Sequence, residues 1–210
     1  MWYDTDKDVV DCVEPWTNVK SPALIDSPPL SMPNPREQHW ASGYKRLWIQ
    51  TDNQLVANAF AGDAAVTTPY LQPVCVRIGR KLQTLLRTGW KPRLDTVALI
   101  EWDPRHFNAV ADHAANAALD YGTDWDKLET GDVTLTASRC WRLSVDGAYR
   151  GDGSAAAGVA IYSYDEPSTM TLIARFGRIL NDVSSSLVAE LIAVELGLDL
   201  FANVLKESVS

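Results

Sequence analysis

The spacing of hydrophobic and polar residues changes several times along the chain and predicts alternating strands and helices. Residues 46–51 alternate and are rich in strand formers, whereas Val74, Ile78, Leu82 and Leu85 form an apolar stripe at helical spacing. Strands are predicted at 46–51, 95–101, 140–147, 155–164 and 169–177. Helices are predicted at 54–61, 74–88, 108–119 and 185–202. This order of elements predicts an α/β fold, in which one mixed sheet has helices on its faces.

Two segments lack such a pattern. Residues 1–45 contain six of the eleven prolines, which disfavour helix interiors and central strands, so this segment is predicted to be an extended leader. Residues 120–138 are acidic and show no clear periodicity, which is typical of a connector. The rest of 46–210 is predicted to form a single domain, because a chain of this size can bury one sizeable core.

The composition limits the possible environments and partners. No apolar run approaches the roughly 18 residues of a membrane span, and the acidic start lacks the apolar region of a signal peptide. The three cysteines are far apart and odd in number, which favours a reducing compartment, so we expect an intracellular protein, cytoplasmic or nuclear. The net charge is −8, but residues 46–119 carry 8 basic and 6 acidic side chains. The net charge alone is therefore a poor guide to what that part binds.

Two carboxylates occupy unusual positions in the second half of the chain. Asp146 ends a predicted strand on its more polar face and is followed by Gly147; an Asp-Gly pair is also a common hairpin turn. Glu190 lies on the small, apolar side of the last helix, where a buried carboxylate needs a charged partner or a metal. The alternative for Glu190 is an exposed acid at the edge of that side.

Two further carboxylates come from the first half. Asp52 follows a predicted strand, and Asp112 lies in an alanine-rich helix where a solvent-exposed position is the simpler interpretation. Together the four acids would repel one another unless divalent cations bind. Oxygen ligands without histidine or thiolate partners suit Mg²⁺ or Mn²⁺, and two such ions can support phosphodiester hydrolysis.

Four segments resemble the ribonuclease H family. Residues 144–162 resemble its first hairpin and residues 185–198 its first helix, while residues 51–62 and 102–118 resemble its fourth strand with the next helix and its last strand with the final helix. The resemblance places Asp146, Glu190, Asp52 and Asp112 at the catalytic, metal-binding carboxylates.

These segments occur in a different order from that of the family. The family's second half precedes its first half here, as in a circular permutation that joins the natural ends through the acidic connector. The resemblance therefore implies a five-stranded sheet in which the strands, numbered along this chain, lie in the order 5-4-3-1-2. Domain swapping is the alternative, so we expect a monomer or a domain-swapped dimer.

The resemblance also implies an activity. It predicts an endonuclease that uses two Mg²⁺ or Mn²⁺ ions to hydrolyse the RNA strand of an RNA–DNA hybrid. The alternative is an RNase H-like module of little or no activity that binds nucleic acid or a protein partner. Where the family often has a mobile histidine, this chain has Trp102, and His106 in the same loop is a candidate for proton transfer or product release.

A basic run lies in the region that would handle substrate in this family. A solvated helix face is the usual meaning of such a run, and contact with nucleic-acid phosphates is the alternative. The candidate substrate-binding residues are Arg77, Arg80, Lys81, Arg87, Lys91 and Trp90.

Overall fold

The computed structural model describes residues 45–63, 66–92, 99–129, 140–165 and 169–207. The predicted leader, apart from Lys45, lies outside these residues, as do much of the predicted connector and most of the strand predicted at 95–101. No described helix combines the length and the apolar character needed to cross a lipid bilayer.

Seven strands form one mixed sheet within the described residues. The strands are β1 (Lys45–Thr51), β2 (Trp90–Lys91), β3 (Ile100–Trp102), β4 (Trp125–Leu128), β5 (Cys140–Tyr149), β6 (Ala155–Asp165) and β7 (Thr169–Leu180). The central β5 pairs in parallel with β1 on one side and antiparallel with β6 on the other. β7 follows β6, β4 pairs antiparallel with β7 at one edge, and β2 and β3 both pair in parallel with β1 at the other edge.

Four α-helices accompany the sheet. Gly62 and Gly122 end the first and third of them in the left-handed conformation, which glycine adopts at little steric cost. A short 3₁₀ turn, Arg105–Phe107, precedes the third helix. The helices are α1 (Gln54–Ala61), α2 (Gln72–Arg87), α3 (Ala109–Tyr121) and α4 (Ser186–Glu207). The prediction of an α/β fold with a mixed sheet and flanking helices is confirmed.

The third and fourth helices cover opposite faces of the sheet. A Cβ at Gly147 would lie 2.7 Å from the Cα of Glu190 in α4, whereas a Cβ at Gly158 would lie 2.5 Å from the Ala115 nitrogen in α3. Gly158 pairs with Asp146 and therefore shares its face, and neighbouring residues of a strand point to opposite faces. The α4 face holds the larger core side chains, among them Trp141, Leu143, Val145, Val194 and Phe201.

The sheet differs from the prediction in strand number and in several boundaries. The expected five strands become seven, because Trp90–Lys91 and Trp125–Leu128 pair with strand edges although they are too short to show alternation. The second of these lies in the segment predicted to be only a connector. Asp146 and Gly147 do not form a hairpin turn, since β5 continues to Tyr149 and the chain reverses between Arg150 and Ser154.

Candidate metal centre

The strand β5 brings Asp146 to a gap in the sheet. The pairing of β1 with β5 ends at Gln50 and Ser144, so Asp146 has a ladder partner only on the β6 side. Its side chain is nevertheless buried, with 5% of its surface exposed. The gap beyond the end of β1 is where side chains from both faces of the sheet can approach Asp146.

Glu190 reaches this gap because two glycines let α4 lie directly on β5. A Cβ at Gly147 would overlap the Glu190 backbone nitrogen, and a Cβ at Gly197 would lie 2.8 Å from Cγ1 of Val145. A side chain at either position would push the helix away from the strand. Glu190 is consequently buried, with 7% of its surface exposed.

Asp52 enters from the carboxyl end of β1. The next residue, Asn53, is the N-cap of α1, and its side-chain oxygen accepts hydrogen bonds from the Leu55 and Val56 nitrogens at 3.1 and 3.3 Å. The indole nitrogen of Trp102 donates to the Asp52 carbonyl oxygen at 3.0 Å. The cap and this bond fix the backbone at and directly after Asp52, so its half-buried side chain is held at the gap.

Asp52, Asp146 and Glu190 converge. One carboxylate oxygen from each lies within 4.8 Å of one from each of the others. The fold thus brings three of the four predicted site residues together, although more than a hundred residues separate the first from the last.

Asp112 stands beside the triad rather than in it. It lies in the first turn of α3 with its side chain partly exposed, and its carboxylate accepts a hydrogen bond from the Arg105 guanidinium. The Arg105 Nε also lies 4.0 Å from Oδ2 of Asp52. The role of Asp112 as a fourth metal ligand stays a prediction.

Burial and the charges of neighbouring acids raise the pKa of two of the carboxylates. Burial, followed by the charges of Asp146 and Asp52, raises the pKa of Glu190 to about 9, against hydrogen bonds from the Gly147 backbone and the Asn53 side chain that lower it. Burial, followed by the charges of Asp52 and Asp112, raises the pKa of Asp146 to about 7, while Arg105 opposes the rise. A bound cation would offset both the burial of these carboxylates and the repulsion between them.

The donor set fits a hard divalent cation. Oε2 of Glu190 is buried and has no hydrogen-bond partner among the described residues, although buried polar atoms are normally paired. All three side chains offer carboxylate oxygens, which Mg²⁺ and Mn²⁺ prefer. Asp52, Asp146 and Glu190 could therefore hold a metal ion.

The loop before α3 places His106 on the surface. Its ring stacks on Phe107, with centroids 4.0 Å apart and an interplanar angle of 44°. Within the described part of the chain, no hydrogen bond or ion pair joins His106 to the triad. Its role in proton transfer or product release stays a prediction.

Part of the basic run on and after α2 forms ion pairs within the protein. Arg77 binds Glu195 of α4 through two hydrogen bonds of 2.8 and 2.9 Å, and Lys81 contacts Asp199 at 2.6 Å. Arg80, Arg87 and Lys91 are exposed. The phosphate contacts predicted for these five side chains stay predictions.

Trp90, the sixth residue of that group, is in the core. Its ring is 6% exposed and packs edge-on against Phe201, with centroids 5.3 Å apart. This placement does not support a contact between Trp90 and a substrate.

Asn108 is a positioning residue at the start of α3. It stands at the N-cap of α3 but makes no side-chain cap bond. Its buried amide instead donates to the Val145 carbonyl oxygen at 2.8 Å, directly before Asp146. This bond ties α3 to β5, and no local sequence signal distinguishes it from an ordinary cap.

Two sequence comparisons with known proteins identify no related family or protein. A scan of the sequence against protein-family models finds no match, and a search of curated proteins finds no significant similarity.

Proposed function

We propose that this chain is a metal-dependent endonuclease with a circularly permuted RNase H-like fold. The observation that carries the proposal is the convergence of Asp52, Asp146 and Glu190, with a buried Glu190 oxygen that lacks a partner. Two buried acids and a half-buried one this close together repel one another, and such a costly cluster is typical of a functional site; a bound cation would offset the repulsion.

The arrangement of strands supports the permuted fold. The resemblance implies the spatial order 5-4-3-1-2 for five strands numbered along the chain. The corresponding strands here follow one another as β7, β6, β5, β1 and β3, with β1 and β3 parallel to β5 and to each other. β1 carries the strand-end aspartate from the first half of the chain and lies beside the Asp146 strand from the second half.

The residues of the site have distinct tasks in this proposal. Asp52, Asp146 and Glu190 would hold the metal, and Asp112, at the margin, would complete the set for a second ion. Two Mg²⁺ or Mn²⁺ ions, when bound, activate water and stabilise the leaving oxygen in phosphodiester hydrolysis. The close packing of α3 and α4 on β5 and β6 keeps the carboxylates in place, so little reorganisation would precede binding.

The RNA strand of an RNA–DNA hybrid is the substrate that the resemblance implies. Such a duplex would be recognised by its shape, phosphates and 2′-hydroxyls. The exposed Arg80 and Arg87 on α2 are available to contact its phosphates, whereas Arg77 and Lys81 would have to exchange their partners on α4.

The second candidate is an RNase H-like module that binds nucleic acid or a protein without cleaving it. The neutralisation of Arg77 and Lys81 by acids of α4 favours this candidate, since it removes positive charge from the expected substrate surface. Trp102 at the position of the family's loop histidine favours it too.

A cleavage assay separates the two candidates. End-labelled RNA–DNA hybrid, duplex RNA and duplex DNA are incubated with the full chain in Mg²⁺, Mn²⁺ or EDTA. The expected result is metal-dependent cleavage of the RNA strand of the hybrid, lost in Asp146→Asn and kept in the control Asp120→Asn, which alters an exposed acid of α3 that pairs with Arg150. Binding without cleavage in either metal would favour the second candidate, and cleavage of another duplex would change the substrate class.

A further inference from the structure

Arg105 is placed among the acids of the candidate metal centre. It lies in the 3₁₀ turn before α3, and 72% of its side chain is exposed. Its guanidinium donates to Asp112, its Nε lies 4.0 Å from Asp52, and its charge also acts on Asp146. One exposed arginine side chain thus partly neutralises three of the four predicted carboxylates.

The contact between Arg105 and Asp112 is of a kind that exchanges easily. An exposed ion pair contributes only about 0–1 kcal/mol, because water screens it and both side chains lose freedom. A divalent cation bound at the triad would offer Asp112 a stronger partner, since it has twice the charge and takes carboxylate oxygens directly. Metal binding would therefore compete with Arg105 for Asp112.

We propose that Arg105 changes partner, holding Asp112 in the metal-free protein and binding a backbone phosphate of the nucleic acid once a divalent cation takes Asp112. This inference rests on the proposed function, because it requires both a metal and a nucleic acid at the site.

A phosphate is the partner that the chemistry of Arg105 favours. The guanidinium is a planar fork that binds phosphate oxygens through two parallel hydrogen bonds. The phosphate that reacts must lie against the carboxylates, and Arg105 is exposed next to them. Two exposed aromatic rings near Arg105 in the chain, Trp102 at the end of β3 and Phe107 in the same 3₁₀ turn, offer flat surfaces on which a strand can pack.

The first measurement is calorimetric titration with Mn²⁺ in the absence of nucleic acid. Arg105→Ala should bind Mn²⁺ about two- to five-fold more tightly than the unaltered protein, which is the range set by the loss of one exposed ion pair. The matched control is Arg150→Ala, because Arg150 also pairs with an aspartate of α3, Asp120, but away from the triad. That variant should bind Mn²⁺ as the unaltered protein does.

The second measurement is hybrid binding over a range of salt concentrations, with Ca²⁺ in place of Mn²⁺ so that binding is followed without cleavage. Arg105→Ala should bind more weakly and lower the slope of log K against log salt by about 0.7–0.9, the value of one phosphate contact. Arg105→Lys should restore the slope, since it keeps one positive charge, whereas Arg150→Ala should leave it unchanged.

The opposite directions of the two effects distinguish this proposal from a purely structural role. An arginine that only fastens the loop to α3 would, when removed, weaken or leave unchanged the binding of Mn²⁺, and either result overturns the proposal. An unchanged salt slope in Arg105→Ala overturns it as well. If the unaltered protein cleaves hybrid while Arg105→Ala matches Arg150→Ala throughout, only this inference fails; if it binds neither Mn²⁺ nor hybrid, the proposed function fails with it.

Discussion

Replacing Glu190 by glutamine should change how the stability of the metal-free protein depends on pH. The buried site raises the pKa of Glu190 from 4.5 to about 9. Between these values the folded protein keeps a proton that the unfolded chain has lost, so the free energy of unfolding falls as pH rises. Glutamine has nearly the same shape and does not ionise, so Glu190→Gln should lack this part of the pH dependence.

The size of the effect follows from the shift. pH 7 lies about 2.5 units above the ordinary pKa of this carboxyl, and each unit corresponds to 1.36 kcal/mol, so keeping Glu190 protonated in the folded protein costs roughly 3 kcal/mol of stability at pH 7 relative to pH 4.5. Relative to the unaltered protein, Glu190→Gln should therefore gain roughly 3 kcal/mol between pH 4.5 and pH 7. Mn²⁺ should reverse the advantage at pH 7, because only the carboxylate gains a ligand bond.

Urea unfolding in EDTA at several pH values measures this difference, and Glu195→Gln supplies the control on the same helix. Glu195 pairs with Arg77 and Lys81; although its partial burial acts in the opposite direction, these partners lower its pKa overall. Its contribution is present at neutral pH and lost as pH falls, so Glu195→Gln should lose up to about 1 kcal/mol at pH 7. If Glu190→Gln and the unaltered protein showed parallel curves from pH 4.5 to 8, the buried and mutually repelling site described here would be wrong.

Two other substitutions test the chemistry and the packing of the site. Asp146→Asn should abolish hybrid cleavage and keep the far-ultraviolet circular dichroism unchanged, because it removes a charge and little volume. Cleavage at the original rate would show that Asp146 is not part of the catalytic site. Gly147→Ala should lower the free energy of unfolding by about 1–3 kcal/mol and weaken Mn²⁺ binding, because the new methyl group would overlap Glu190. Gly151→Ala, whose methyl group would meet no atom within 4 Å, is its control and should change stability by less than about 0.5 kcal/mol.

The types of the longer elements were predictable from periodicity. The strand at β5 and the helix α4 have strong, local patterns, and their observed limits differ from the prediction by a few residues. The short strands β2 and β4 were not predictable, because two to four residues show no period and their pairing depends on edges supplied by distant parts of the chain.

The candidate metal centre was also predictable only in part. Asp52, Asp146 and Glu190 stood out because each is an acid in a setting that should be apolar or should end a strand. Gly147 made the site harder to predict, because an Asp-Gly pair indicates a turn locally. In the structure this glycine instead lets α4 touch β5. The contact between Arg105 and Asp112 was not foreseen, because a basic residue in a polar loop carries no signal of its partner.

The central claim is that acids from the two halves of the chain hold a divalent cation, and anomalous scattering from crystals soaked in Mn²⁺ tests it most directly. Data collected near the manganese absorption edge locate the ion without reference to any assumed site. A peak about 2.0–2.3 Å from carboxylate oxygens of Asp52, Asp146 and Glu190 is the expected result. Well-ordered carboxylates with no anomalous peak at millimolar Mn²⁺, or a peak only elsewhere, would contradict it.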